Sequence, residues 1–379
     1  MKSLQYFICT FLFLSMNYIL NLVLNWPLLA MSGIKGETSF SDLSTTLKQV
    51  NCGQSTCPDY IYGDLFARLA RGLNLSAISI DLMAYILTSL FILSVSLIAS
   101  SAKSKLAVLA INAVGVSPST LLLLERANID IFIFVLCFLA SILAKGKLRV
   151  MSVLLLALST LIKFYPLLAF LHQSFLMSKN KSSNFKRAFI GLLALGVTII
   201  TFTNVVKESS SIPLNWDNSF GLSIGILWLS FIFKEMTNLN LVVSGSLIPI
   251  IGLSSLIITW RLMKLSRLTK VSLRNTSIGR DPVFLVGLTC YVLGISYDYR
   301  LVFILIPCAL LLENSVTWPG NRFLLLIVAS FFTTTNFGVN VKFFYPGIQL
   351  IGDIALFILI LTSIFKLESP KDSHSQDRE

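Results

Sequence analysis

Unbroken apolar blocks constrain this chain more than any other feature of its sequence. They run from Leu4 to Met31, Ala77 to Ala99, Leu106 to Leu124, Ala188 to Val206 and Leu239 to Trp260. A half-exposed helix or strand shows a polar face at period 3.6 or 2, and these blocks show none. A membrane-crossing helix needs roughly 20 apolar residues, and several blocks reach that length alone. Composition agrees: mean hydropathy is +0.80, and the charged share of 13% is about half that of an ordinary soluble domain. The expected fold class is an all-α polytopic membrane protein.

Extended to the shorter blocks, the pattern gives about 11–12 transmembrane helices. They fall near 4–31, 77–99, 106–124, 128–144, 150–163, 165–178 and 188–206, then near 240–260, 282–296, 301–313, 322–336 and 347–365. Residues 1–366 are read as one transmembrane domain with a longer first outer loop over about 32–76. The polar stretch 367–379 is read as a disordered cytoplasmic tail. Lys2 and "PLLAMSG" admit a signal-peptide reading of the first block. Its 28 residues exceed the usual apolar core of such peptides, so a retained helix is expected. A second outer segment, Lys207 to Asn238, reads as an amphipathic surface helix or a short pair of spans.

The net charge of +12 would suit a polyanion partner, but its distribution does not. With the N-terminus inside, 20 of the 30 basic residues fall on the inner face, among them Lys103, Lys105, Lys145, Lys147, Arg149 and the run from Arg261 to Arg280. Only six acids join them. That bias is the positive-inside rule, so the basic balance reports topology and no nucleic acid is expected.

The outer loops carry the chemistry. Cys52 and Cys57 in "VNCGQSTCPDY" face the side where an oxidising compartment is expected, and a short disulfide follows. No His or further Cys stands near them, so no metal site is read there. Cys9, Cys137, Cys290 and Cys308 lie in spans as small packing residues. Four motifs interrupt the apolar region, all on the outer face: "ERANID" (Glu125–Asp130), "KFYP" (Lys163–Pro166), "NWDNSFG" (Asn215–Gly221) and "SYDYR" (Ser296–Arg300). Asp42, Asp59 and Asp64 lie in the first loop. An ionisable group at membrane depth costs several kcal/mol unless it is paired or faces a wet cavity. Taken singly, each motif has a plain reading. Glu125 and Arg126 would pair at the interface, Lys163 would snorkel, Tyr165 would anchor there, Asp298 would pair with Arg300, and Asp217 would be loop chemistry. Taken together, acids and cations at four outer turns suit a phosphate held by Arg and Lys, with a carboxylate taking a proton from a hydroxyl. A lipid-linked phosphate needs such a polar crevice beside an apolar groove.

The stretch "SPSTLLLLERANIDIFIFVLCFLASILAKGKLRVMSVLLLALSTLIKFYPLLAFL" (Ser117–Leu171) resembles the core segment of the family-87 glycosyltransferases of the C-type (GT-C) class. Their pattern is E-R-G-N-x-D followed by K-x-Y-P, and "SYDYRLVFILIP" is similar to their later segment. The resemblance implies a GT-C-like bundle and a polyprenyl-phosphate-linked sugar donor, commonly mannose or another hexose or pentose. The acceptor would be a glycan or glycolipid and the setting membrane lipid, in a bacterial inner membrane with the site facing the exterior. It implies a catalytic Asp in the first outer loop: Asp42 by position, with Asp59 and then Asp64 as competitors. Asp64, Glu125, Arg126, Asn128, Asp130, Lys163, Tyr165, Asp217, Asp298 and Arg300 are the expected substrate-binding set. No cofactor is required, although a divalent ion on the donor phosphate stays open. Ala127 stands where the family has Gly, so a left-handed backbone there would be strained. The rival expectations are an undecaprenyl-diphosphate-linked glycan polymerase or ligase, and a lipid-glycan transporter or flippase.

Overall fold

The computed structural model describes residues 2–23, 40–51, 64–75, 78–144, 148–179, 184–208, 219–220, 281–292, 296–312, 319–333 and 344–365. Asp59, Asp217, the Cys52–Cys57 pair, the block 240–260 and the tail 367–379 lie outside the described residues, as do the side chains of Asp64 and Asp298.

The described chain is helical apart from one two-residue strand pair. The helices are α1 (Lys2–Val23), α2 (Ser41–Asn51), α3 (Asp64–Gly72), α4 (Ile80–Ser100), α5 (Lys105–Gly115), α6 (Pro118–Glu125) and α7 (Asp130–Leu143). They continue as α8 (Arg149–Ile162), α9 (Leu167–Lys179), α10 (Asn184–Glu208), α11 (Asp281–Val292), α12 (Val302–Leu311), α13 (Pro319–Phe332) and α14 (Phe344–Phe365). Strand β1 (Ser219–Phe220) pairs antiparallel with β2 (Ser296–Tyr297), and a 3-10 turn, Asp298–Leu301, leads from β2 into α12.

Local chemistry sets several boundaries. Ser79 and Ser104 cap α4 and α5, each side-chain oxygen accepting from the backbone N–H three residues on. Ser117 is extended because it precedes Pro118, which occupies the first turn of α6. The block 106–124 is therefore not the single straight span expected. It is two helices bent by 49°. The segment 32–76, expected as the first outer loop, contains α2 and α3, which apolar patterning did not reveal because both are short and rich in polar residues. Of the expected surface helix over 207–238, the described part beyond α10 is β1.

Among the described residues, α1 and α4 are long and apolar enough to cross a membrane, and α5 with α6 makes a third if the bent pair is one span. Shorter apolar helices, including α7, α8 and α9, accompany them. α1 buries only Thr10, Leu14 and Tyr18, one stripe at a spacing of four, and leaves Leu4, Leu12, Met16 and Leu20 exposed. Such an apolar exterior suits lipid.

The core sits where α4, α7, α11 and α12 meet. Val302 to Ile306 are wholly buried on every side, the signature of a central helix. Gly287 lets α11 close on α12: a Cβ there would lie 2.5 Å from Ile304 and 2.7 Å from the Phe303 carbonyl. Phe91, Phe134, Phe303 and Tyr165 form a chain of ring contacts, with successive centroids 5.2, 5.5 and 5.9 Å apart, that runs from α4 to the connection between α8 and α9. That chain ends at the charged residues.

Candidate functional site

The site begins with the way α6 stops. The Ala127 N–H donates to the Leu124 carbonyl and the Asn128 N–H to the Leu123 carbonyl, the paired bonds of a Schellman cap. Such a cap needs a left-handed residue after the helix, and Ala127 takes it with φ of 45°. The strain expected for an alanine in place of glycine is present.

Two further carbonyls, of the last α6 residue and of the one that caps it, are used by the start of α2. The Phe40 N–H donates to the Glu125 carbonyl at 2.7 Å and the Leu43 N–H to the Arg126 carbonyl at 3.3 Å. The N-terminal amides of α2 thus meet the C-terminal carbonyls of α6, and each helix end satisfies the other's orphan groups. Asp42, in the first turn of α2, is thereby set against the ERANID turn. Arg126 Nη1 donates to Asp42 Oδ1 at 3.0 Å, and Asn128 Nδ2 donates to Oδ2 at 2.5 Å.

Asn128 links this pair to a second, deeper one. Its Oδ1 accepts the backbone N–H of Asp130 at 3.0 Å and Lys163 Nζ at 3.4 Å. Asp130 then collects three donors: Lys163 Nζ at 2.5 Å, Tyr165 Oη at 2.6 Å and Arg300 Nε at 2.8 Å. The Arg300 guanidinium also lies over the Tyr165 ring, 4.9 Å from its centroid. The two halves differ in access. Side-chain exposure is 0% for Asp130, 6% for Lys163 and 13% for Arg300, against 20% for Asp42 and 19% for Arg126. Asp130 is the floor, and Asp42 with Arg126 forms the rim.

Two of the plain expectations for single motifs are corrected here. Lys163 does not snorkel to a surface and Tyr165 is not an interface anchor; both are buried on Asp130. Arg300 reaches Asp130, 170 residues away, and Arg126 reaches Asp42, 84 residues away, contacts that local spacing cannot show. Asp42, Arg126, Asn128, Asp130, Lys163, Tyr165 and Arg300 therefore come together, and Glu125 closes α6 beside them. The sequence reading passed over one buried acid, Asp353 in α14. A single charge inside a 22-residue apolar helix was the available signal.

Among the described residues the printed ion pairs join two acids, Asp42 and Asp130, to three bases, Arg126, Lys163 and Arg300. Guanidinium and ammonium donors of this kind suit phosphate oxygens. Asp42 is the accessible carboxylate. Among the described residues no cluster of three His, Cys, Asp or Glu side chains offers a metal site. No protein family, no curated protein and no solved structure matches the chain.

Proposed function

We infer that this chain is an integral-membrane glycosyltransferase of the C-type class, a bundle of about 11–12 spans with its site at the outer face of a bacterial inner membrane. It would move a monosaccharide from a polyprenyl-phosphate donor to a hydroxyl of a glycan or glycolipid. The observation that carries the reading is the convergence of four segments on one charged network, with three cations in it and a carboxylate at its rim. Asp42 takes the proton from the acceptor hydroxyl. The freed oxygen bonds to the anomeric carbon as the carbon–oxygen bond to phosphate breaks, and the electron pair leaves with the polyprenyl phosphate. Arg126, at the rim with Asp42, meets the departing phosphate first, while Lys163 and Arg300 add their field from the floor.

General-base catalysis contributes about 10²–10⁴-fold, so Asp42→Asn is expected to slow transfer by at least about 100-fold. The assay uses membranes given a radiolabelled polyprenyl-phosphate sugar and acceptor, with the protein's abundance held constant. A fall of less than tenfold removes Asp42 as the base.

A further inference from the structure

The ion network accounts for most of the buried charge in the described residues, but not for Asp353. It is the one charged residue of α14, nine residues or about 13 Å along the helix from Phe344, and so near its middle. It is 4% exposed, and among the described residues neither carboxylate oxygen meets a hydrogen-bond donor. Gln349, one turn earlier on the same face, is buried with it.

The described surroundings are closely packed. At Gly352 the α14 backbone closes on the end of α13 so tightly that a Cβ would lie 2.4 Å from the Thr333 nitrogen and 2.6 Å from the Phe332 carbonyl carbon. Among the described side chains, the titratable and charged groups on the surrounding helices are Tyr291 and Cys290 of α11, Cys308 of α12 and Arg322 of α13; Asp281 opens α11, its side chain outside the described residues. Among these described groups Tyr291 is within electrostatic reach of Asp353, and it carries no charge at neutral pH. Arg322 stands ten residues before Phe332, about 15 Å down α13.

An ionised carboxylate without a donor or counter-charge is far costlier to bury than a neutral one, and a buried group escapes that cost by holding a proton. The contrast with Asp130 is direct: that carboxylate, equally buried, has two cations and a hydroxyl on it. We propose that Asp353 is a proton-binding site inside the helix bundle, separate from the charged network. Its ligand is the proton itself. Because Asp353 adjoins the Gly352 contact, loss of that proton would place a bare charge beside a close approach of α13 and α14. The protonation state and the α13–α14 packing are therefore coupled.

The test uses the full-length protein in lipid nanodiscs and compares wild type with Asp353→Asn by infrared spectroscopy at pH 7. The expected difference is a carboxylic-acid C=O band, shifted in heavy water, that the variant lacks. A carboxylate band lost instead would overturn the proposal. Dicyclohexylcarbodiimide gives a second readout, since the acid O–H adds across its C=N bond only when the proton is present. Peptide mapping is expected to find Asp353 modified at least tenfold more than Asp130. Thermal melting guards against a variant that fails to assemble. A neutral side chain replacing a neutral acid is expected to leave the melting temperature of Asp353→Asn and Asp353→Leu unchanged or raised. A clear fall in both would mean that the native carboxylate is ionised and partnered, and the proposal would fail.

Discussion

The buried carboxylate of Asp130 offers the sharpest test of how this protein is held together. Asp130→Asn keeps the shape of the side chain and removes its charge, leaving Lys163 and Arg300 facing each other with no anion between them. At a charge separation of about 4 Å and an effective dielectric of about 20, each of the two ion pairs is worth roughly 4 kcal/mol. Repulsion between the two cations offsets part of that sum. Removing one partner from a buried pair costs roughly 3–5 kcal/mol in general. Two orphaned cations put this substitution at the upper end, about 5 kcal/mol. The measurement is reversible unfolding in mixed micelles, run as a double-mutant cycle with Lys163→Met. Removing Lys163 as well takes away one of the uncompensated charges, so the double variant is expected to lose at least about 2 kcal/mol less than the sum of the two single losses. A loss below about 1 kcal/mol for Asp130→Asn, or a coupling near zero, would refute the account of Asp130 as the floor of the site.

Two other substitutions test the backbone. A left-handed alanine costs roughly 1–2 kcal/mol, and glycine returns about 0.5–1 of that through its greater freedom when unfolded. Ala127→Gly is therefore expected to stabilise by about 0.5–1 kcal/mol, read as a rise in melting temperature; a fall would count against the Schellman cap. Gly287→Ala forces a methyl against the Phe303 backbone, which has no side-chain freedom with which to yield. It is expected to lower stability by about 1–3 kcal/mol, and an unchanged melting curve would contradict the close approach of α11 to α12.

Much of the site was legible because charge in an apolar chain is conspicuous. Glu125, Arg126, Asp130, Lys163 and Arg300 each interrupt a hydrophobic run, and the cost of burying them marked them before any contact was known. The partners were not legible. Arg300 crosses the fold to Asp130, 170 residues away, and no residue near it in sequence signals that partner. Pairing of that kind follows from which helices lie side by side, and nothing local encodes it. The apolar blocks pointed correctly to α1 and α4. They could not show the bend at Ser117, because Leu recurs in both halves and only the short Ser117–Thr120 stretch separates them. α2 stayed hidden for the opposite reason: its residues are polar and its place is fixed by docking against the end of α6.

The order of the network along the chain has a consequence for how the protein is made. Synthesis begins at the N-terminus, so Asp42, Arg126, Asp130 and Lys163 all emerge well before Arg300. Asp130 and Lys163, only 33 residues apart, are able to close on each other while the rest is still being added. Arg300, 170 residues after Asp130, is the last of the five to arrive. The buried carboxylate thus has one cation at hand early and gains its second only when the last third of the chain has docked.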